Sequence, residues 1–176
     1  MKAKISAAAV AVLGLAACVT GPRIDASAAM GAQAELRDAA GRIAARSTAT
    51  RAGEGVRIRV EAAGLAPGSY GAHVHSAGRC DQPGFESAGP HWNPSGRAHG
   101  RENPQGQHLG DLPNLVVGTE GSGSFEFTIP AASMRGGRVP MLDSDGAAVV
   151  IHAQPDDYRT DPSGNSGSRI ACGVFR

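Results

Sequence analysis

The chain is short of lysine and of aromatic residues, and each shortage narrows the range of functions. Lys2 and Lys4 are its only lysines, and acidic and basic residues nearly balance, with a formal net charge of +1 over 176 residues. A near-neutral chain has no general electrostatic attraction for nucleic acid or anionic lipid, so we expect no nucleic-acid partner. Aromatic side chains make up only 4% of the residues, which predicts a core of Val, Ile, Leu and Ala.

Long apolar runs are also lacking, except for residues 5–17 directly behind the two lysines. A basic start followed by such a run is typical of a secretory signal, and the run is too short for a stable membrane span. We therefore predict a signal peptide over residues 1–17. Its removal leaves enough chain for one domain with a sizeable core, predicted over residues 32–176.

The residues that precede Cys18, Leu15-Ala16-Ala17, resemble a bacterial lipobox, in which the cysteine becomes the lipidated first residue of the mature chain. Residues 18–31 would then form a flexible tether rich in Ala, Gly and Ser. This predicts a periplasmic protein that contacts the membrane only through a lipid anchor at Cys18. The alternative is ordinary cleavage after Ala28. We favour the lipobox because that alternative leaves a long gap after the apolar run and an unpaired thiol.

Strand patterns recur at short intervals beyond residue 32, and the alternation is clearest in Val56-Arg-Ile-Arg-Val60. Residues 121–123 and 143–146 have the composition of turns. Nothing beyond the signal has a long helical period, so the sequence predicts an all-β sandwich or barrel. The predicted strands are residues 33–37, 41–49, 55–62, 115–117, 124–129, 147–152 and 170–175.

All the histidines of the chain belong to one ordered series that also includes a carboxylate. Imidazole suits zinc and copper, whereas magnesium and calcium sites consist mostly of oxygen ligands. On an extended strand His73 and His75 would lie on one face and reach one ion, and the flanking residues 67–71 and 76–78 are turn-like. The series is His73, His75, His91, His99, His108, Asp111 and His152.

The middle of the series lies in a segment, residues 89–111, that is too rich in Gly and Pro for any regular element. A loop of this length in a compact domain needs a cause of order, and a bound ion would supply one. Three imidazoles and a carboxylate, from His91, His99, His108 and Asp111, complete a tetrahedral zinc shell. The alternative is a polar surface loop with incidental histidines.

A set of motifs across residues 71–173 resembles the copper/zinc superoxide dismutase family. No single short motif carries the resemblance. The matching segments are residues 71–75 (Gly-Ala-His-Val-His), 87–94 (Ser-Ala-Gly-Pro-His-Trp-Asn-Pro), 99–100 (His-Gly), 108–111 (His-Leu-Gly-Asp), 149–152 (Val-Val-Ile-His), 156–157 (Asp-Asp) and 164–173 (Gly-Asn-Ser-Gly-Ser-Arg-Ile-Ala-Cys-Gly).

The resemblance implies a fold and two cofactors. The fold is an eight-stranded antiparallel Greek-key barrel with two long metal-site loops, and the cofactors are copper and zinc. His91 would bridge the two ions. The implied copper ligands are His73, His75, His91 and His152, and the implied zinc ligands are His91, His99, His108 and Asp111.

The resemblance also implies roles for residues that are not ligands. Asp156 would accept hydrogen bonds from His73 and His99, one ligand of each metal, and so fix their orientation. Arg169 would stand beside the copper and attract superoxide, since a guanidinium is always charged. Cys80 and Cys172 would form a disulfide, which requires an oxidising compartment.

The implied activity is the conversion of superoxide, the small-molecule substrate, to dioxygen and hydrogen peroxide by a redox-cycling copper. Arg169 and His91 would be the catalytic residues beside the metals. The alternatives are a non-catalytic periplasmic protein that buffers or delivers copper or zinc, and an interaction module without metals. The sequence leaves a monomer and a homodimer both open.

Overall fold

The structure, a computed structural model, describes residues 31–176. The predicted signal peptide, Cys18 and nearly all of the tether lie outside these residues and stay predictions. Across residues 31–176 no helix is long and apolar enough to cross a membrane. The strands are β1 (Ala32–Asp38), β2 (Ile43–Ala52), β3 (Gly55–Ala62), β4 (Gly68–Tyr70), β5 (Ala72–His75), β6 (Leu115–Val117), β7 (Ser124–Pro130), β8 (Ala148–His152) and β9 (Arg169–Val174).

The strands form one large and one small antiparallel sheet. The large sheet has the order β5-β8-β9-β1-β2-β3-β7, and β4 pairs with β6 in the small one. The connection from β7 to β8, residues 131–147, crosses from one edge of the large sheet towards the other, as in a Greek key. The prediction of an all-β Greek-key fold is confirmed.

The strand count is nine where the resemblance implied eight, because Gly71 divides one bent strand into β4 and β5. Residues 67–71 were interpreted as turn-like, but Gly68–Tyr70 pairs with Leu115–Val117. At Gly71 the chain leaves that partner, and its main-chain N–H donates to the carbonyl of Gln154 instead. A Cβ at residue 71 would lie 2.8 Å from the Cβ of Ser166, so only glycine fits the bend.

Alternation places the core on one face of most strands. In β1 Ala32, Ala34 and Leu36 are buried while the residues between them are exposed. β5 and β8 differ, since every residue of both is buried. Their inner face joins the main core through residues such as Val74 and Ile151. Their outer face is covered by the long loops, and the histidines lie there.

Candidate metal centre

Strand pairing brings three histidines of the outer face together. His73 and His75 are opposite Val150 and Ala148 of β8, so β5 is extended and both imidazoles leave it on one side, as predicted. His152 ends β8 and is opposite Arg169 of β9. The positions of these groups therefore follow from the register of the large sheet.

The loop that carries the other ligands pairs with the free edge of β5. The main-chain N–H of Val74 donates to the carbonyl of Gly110 at 2.8 Å, and that of Trp92 donates to the carbonyl of Val74 at 2.8 Å. These bonds place His91 beside His75 and Asp111 beside His73. They also satisfy backbone groups that an edge strand would otherwise expose.

Hydrogen bonds fix the tautomer of each histidine on the strands. Carboxylates and carbonyls only accept, so the ring nitrogen that faces one must carry the proton. His73 Nε2–H donates to Asp156 at 2.8 Å, His75 Nδ1–H donates to the carbonyl of Gly89 at 2.8 Å, and His152 Nδ1–H donates to the carbonyl of Gly167 at 3.1 Å. The opposite nitrogens, His73 Nδ1, His75 Nε2 and His152 Nε2, are buried and have no hydrogen-bond partner.

These unpartnered lone pairs fit a metal ion. A buried nitrogen without a partner is costly unless something occupies its lone pair. The ligand atoms of His73, His75, His91 and His152 all lie within 4.8 Å of one another. Four imidazoles whose ligand atoms lie this close together match the chemistry of copper better than that of a hard cation.

A second cluster surrounds one carboxylate oxygen of Asp111. Oδ1 lies 3.0 Å from His91 Nδ1, 3.1 Å from His99 Nδ1 and 3.1 Å from His108 Nδ1. His91 Nδ1 and His108 Nδ1 are 3.3 Å apart. A tetrahedral zinc ion with bonds of about 2.0 Å would separate its ligand atoms by roughly 3.3 Å, so these four atoms fit its corners.

The other oxygen of Asp111 orders the loop around that cluster. Oδ2 accepts from the main-chain N–H of Gly100 at 2.9 Å and from that of His108 at 3.0 Å. One carboxylate would thus offer an oxygen to an ion, and it fixes the main chain beside two of the histidines. His73 also lies near this second group, but its one free nitrogen belongs with the strand histidines.

Asp156 joins the two clusters, as the resemblance implied. Its Oδ2 accepts from His73 Nε2–H at 2.8 Å, and its Oδ1 accepts from His99 Nε2–H at 3.0 Å. Gly164, at φ +65°, packs against this carboxylate so closely that a Cβ there would collide with Asp156 Oδ1.

Sequence reasoning missed Asn114, which holds the main chain of Asp156. Its side-chain N–H donates to the Asp156 carbonyl at 2.9 Å, and its Oδ1 accepts from the Asp156 N–H at 2.8 Å. The Asn114 N–H donates to the Tyr158 hydroxyl at 2.8 Å. Asn114 follows Asp111 by three residues, and that position next to a ligand is the only signal the sequence offered.

Burial and the carboxylates move the imidazole pKa values in opposite directions. Burial lowers the pKa of His73 to about 3 and that of His152 to about 4, and it holds the pKa of His75 well below the ordinary value. These rings are neutral at pH 7 and present lone pairs. Burial also acts on His99, but hydrogen bonds to Asp111 and Asp156 outweigh it and raise the pKa of His99 to about 9.

Arg169 is half-buried, and the loop before the metal ligands holds it in place. Its Nη1 donates to the carbonyl of Phe85 at 2.7 Å, and its Nη2 donates to the carbonyl of Gly89 at 2.8 Å. The Gly89 carbonyl also accepts from His75. One carbonyl thus links the arginine to a ligand of the predicted copper site.

The predicted disulfide is present between Cys80 and Cys172, with their Cα atoms 5.6 Å apart. It packs with Phe85, Ala88 and the outer face of β8 in a small apolar cluster. The bond therefore fastens the segment that carries Phe85 and Gly89 to β9, which carries Arg169. Closing a loop of 92 residues is worth about 4 kcal/mol in the chain-entropy account.

The fold and this geometry together define a class. The protein is an all-β barrel-like protein with two adjoining groups of potential metal ligands on its outer wall, which come from β5, β8 and the loop between β5 and β6. One group has only imidazoles, and the other has imidazoles and a carboxylate.

Known proteins of this class are similar over most of the chain. The sequence model of the copper/zinc superoxide dismutase family matches residues 39–175. A copper/zinc superoxide dismutase of Caulobacter vibrioides is 40% identical over 148 residues, 82% of this chain and 85% of that protein. The chain therefore belongs to the copper/zinc superoxide dismutase family. This confirms the predicted family, its enzyme class and its copper and zinc cofactors.

A superoxide dismutase-like protein of Bacillus subtilis is 48% identical over 124 residues, 69% of this chain but only 63% of that protein. A crystal structure of a superoxide dismutase-like protein from the same species superimposes with a TM-score of 0.76 at 43% identity, covering 81% of this chain and 96% of that one. The likeness in fold therefore extends to proteins that are named only as resembling dismutases.

Proposed function

We propose that this protein dismutates superoxide in the bacterial envelope, with His73, His75, His91 and His152 as copper ligands and His91, His99, His108 and Asp111 as zinc ligands. The observation that supports this most directly is the set of buried, unpartnered nitrogens on His73, His75 and His152. Their tautomers are fixed by acceptors, so three lone pairs converge before any ion binds.

Bound copper would supply the one-electron redox chemistry that converts two superoxide ions and two protons to dioxygen and hydrogen peroxide. The residues of the chain would attract the substrate and supply a proton. Arg169 is positive at every physiological pH and would attract the anion to this part of the surface. His91 Nδ1 lies beside Asp111, so Nε2 is the nitrogen left for the strand histidines. His91 would thus offer one nitrogen to each group, which makes it the proposed bridge. Nε2 would carry a proton for the peroxide product only when it is not bound to copper.

The proposed location rests on the sequence signals and on the disulfide. A secretory signal with a lipobox would place the chain in the periplasm with a lipid on Cys18, and a disulfide persists in an oxidising compartment. Mass analysis of the mature amino terminus tests this. We expect a lipidated Cys18, and an unmodified terminus at Ala29 would contradict the anchor.

A non-catalytic metal buffer is the second candidate, because one similar protein is named only as dismutase-like. Metal content and superoxide decay of the mature protein distinguish the two functions. We expect one copper and one zinc per chain and fast decay. A protein that binds zinc alone and stays inactive after copper loading would favour the buffer.

Arg169→Gln sharpens this test. We expect both metals to stay bound, since no ligand changes, and the second-order rate to fall by about tenfold because a guiding charge is lost. Arg57→Gln, on the exposed face of β3, is the matched control and should keep the parent rate. Equal rates for both variants would show that Arg169 does not guide the substrate.

A further inference from the structure

A groove of about 560 Å³ lies where the chain enters the barrel, and four arginines line it. Its wall includes Gly31, the first residue that the structure describes, together with the β2–β3 hairpin and the start of the long β7–β8 connection. Glu54 is the only acidic side chain among the lining residues. Three of the arginines, Arg51, Arg135 and Arg138, come from the hairpin and the connection, and the fourth is Arg176.

No carboxylate neutralises the three arginines of the hairpin and the connection, whereas six other arginines of the described residues are paired with one. All three are exposed, and none lies within 4.0 Å of an acidic group in the described part of the chain. By contrast, Arg59 contacts both Glu61 and Glu126. Unpaired guanidinium groups in one groove create a local positive field, although the chain as a whole is near neutral.

The groove is remote from the metal centre. Arg176, which also lines it, follows Arg169 by seven residues along β9 and its extension, a distance of about 20 Å in extended chain. The β7–β8 connection also places its basic residues at the groove and an acidic residue near the metal centre. Arg135 and Arg138 face the groove, whereas Asp143 lies in a depression with His91 and His108.

We propose that this groove binds the headgroups of anionic phospholipids and seats the barrel on the membrane with its metal centre turned away from the lipid. The choice of occupant rests on the proposed lipid anchor. Residues 19–30 separate Cys18 from Gly31, and such a segment spans at most about 45 Å. A lipid on Cys18 would therefore keep this face of the barrel close to the headgroups, whose phosphates match guanidinium donors.

Vesicle binding of the mature protein tests the proposal. The vesicles contain phosphatidylcholine with or without phosphatidylglycerol, and the arginines are labelled with phenylglyoxal and mapped by mass spectrometry. We expect Arg51, Arg135 and Arg138 to be protected at least fivefold on anionic vesicles at low salt and to lose that protection in high salt. Arg57 is the internal control and should react equally on both vesicles.

A triple variant, Arg51→Glu with Arg135→Glu and Arg138→Glu, gives the second measurement. Each arginine near an anionic surface strengthens binding about fivefold, so the loss of three positive charges alone should lower the charge-dependent part of vesicle affinity by roughly a hundredfold. Reversal of the charges should lower it further. Arg57→Glu should change it less than twofold. Superoxide decay and melting temperature of the triple variant should equal those of the parent, because the groove shares no residue with the metal centre.

Two outcomes overturn the proposal. One is equal labelling of groove and control arginines on both kinds of vesicle, and the other is unchanged affinity of the triple variant. Binding that ignores both salt and phosphatidylglycerol would report the lipid on Cys18 alone and would also reject the groove. The mature terminus and the dismutase rate are measured on the same samples, so failure of the proposed anchor or activity is seen separately.

Discussion

The proposed copper side and the proposed zinc side of the centre are built in different ways. His73, His75 and His152 belong to β5 and β8, whose residues are all buried and paired in the large sheet. The zinc-side ligands lie in residues 91–111, which have only turns and isolated bridges. The sheet therefore positions the proposed copper ligands by strand pairing, whereas we expect the loop to need Asp111 and an ion to hold the proposed zinc ligands. This comparison predicts that zinc contributes to folding and that copper contributes to chemistry.

The largest expected effect is on activity when a strand histidine is lost. His152→Ala should abolish copper binding and superoxide decay, because it removes a lone pair that no other residue can supply. We expect the melting temperature to fall by only a few degrees, since strand pairing rather than copper holds β8. Val150→Ala on the same strand is the control that loses packing but keeps the ligands. If His152→Ala were the most destabilising change in the centre, the comparison would fail.

The next effect is on stability when a zinc ligand is lost. His99→Ala and Asp111→Ala should each lower zinc content and reduce the melting temperature by roughly 10 °C, or about 3 kcal/mol for a domain of this size. Asp111→Ala should be the worse of the two because it also frees the N–H groups of Gly100 and His108. Ser95→Ala, in the same loop, should melt like the parent. Zinc-site variants that melted like Ser95→Ala would reject a structural role for zinc.

A smaller effect is expected on the affinity for both metals when the residues that connect the two sides are changed. The Asp156 carboxylate accepts a hydrogen bond from one imidazole of each cluster. Asn114 in turn holds the main chain of Asp156 through two hydrogen bonds. Asp156→Asn and Asn114→Ala should weaken both metals about 10- to 100-fold, as measured by competition with chelators. The copper spectrum should shift as well. Asn114→Asp keeps one of the two bonds and should recover part of the loss, whereas a purely local packing defect would show no such recovery.

The smallest effect appears as a pH dependence of the metal-free protein. Burial lowers the pKa of His73 to about 3 and that of His152 to about 4. The unfolded chain therefore takes up more protons as the pH falls below about 6.5. Unfolding free energy should decrease in acid by about 1.4 kcal/mol per pH unit for each such imidazole. Urea unfolding between pH 7 and pH 5 measures this, and a flat profile would contradict the assignment of neutral rings.

His99 changes the same profile on its alkaline side. Its pKa is raised to about 9 by Asp111 and Asp156, although burial opposes the rise. The stabilisation from its charge is complete below pH 6.5 and should be lost as the pH rises through 9. The metal-free protein should therefore be most stable near neutral pH.

The sequence predicted the residues of the site better than it predicted the contacts that support the site and shape the surrounding fold. The residue types and spacing of the histidines and Asp111 carry chemistry, so the sequence predicted that they form one site, and the structure brings them together. The contacts of Asp156 and the disulfide were expected only from the resemblance to the family. Asn114 was missed because an amide that binds main chain leaves no pattern in one sequence. The break at Gly71 was missed because it depends on contact with Ser166. The groove of Arg51 and Arg138 was missed because it joins residues that are far apart in the chain.

Hydrogen exchange after removal of each metal tests the division of roles most directly. We expect the loss of zinc to speed exchange across residues 93–111, while amides paired between β8 and β9 stay protected. The loss of copper alone should leave both regions protected. If zinc removal left the loop protected, or if copper removal exposed it as strongly, the account of a strand-built copper side and a zinc-ordered loop would be contradicted.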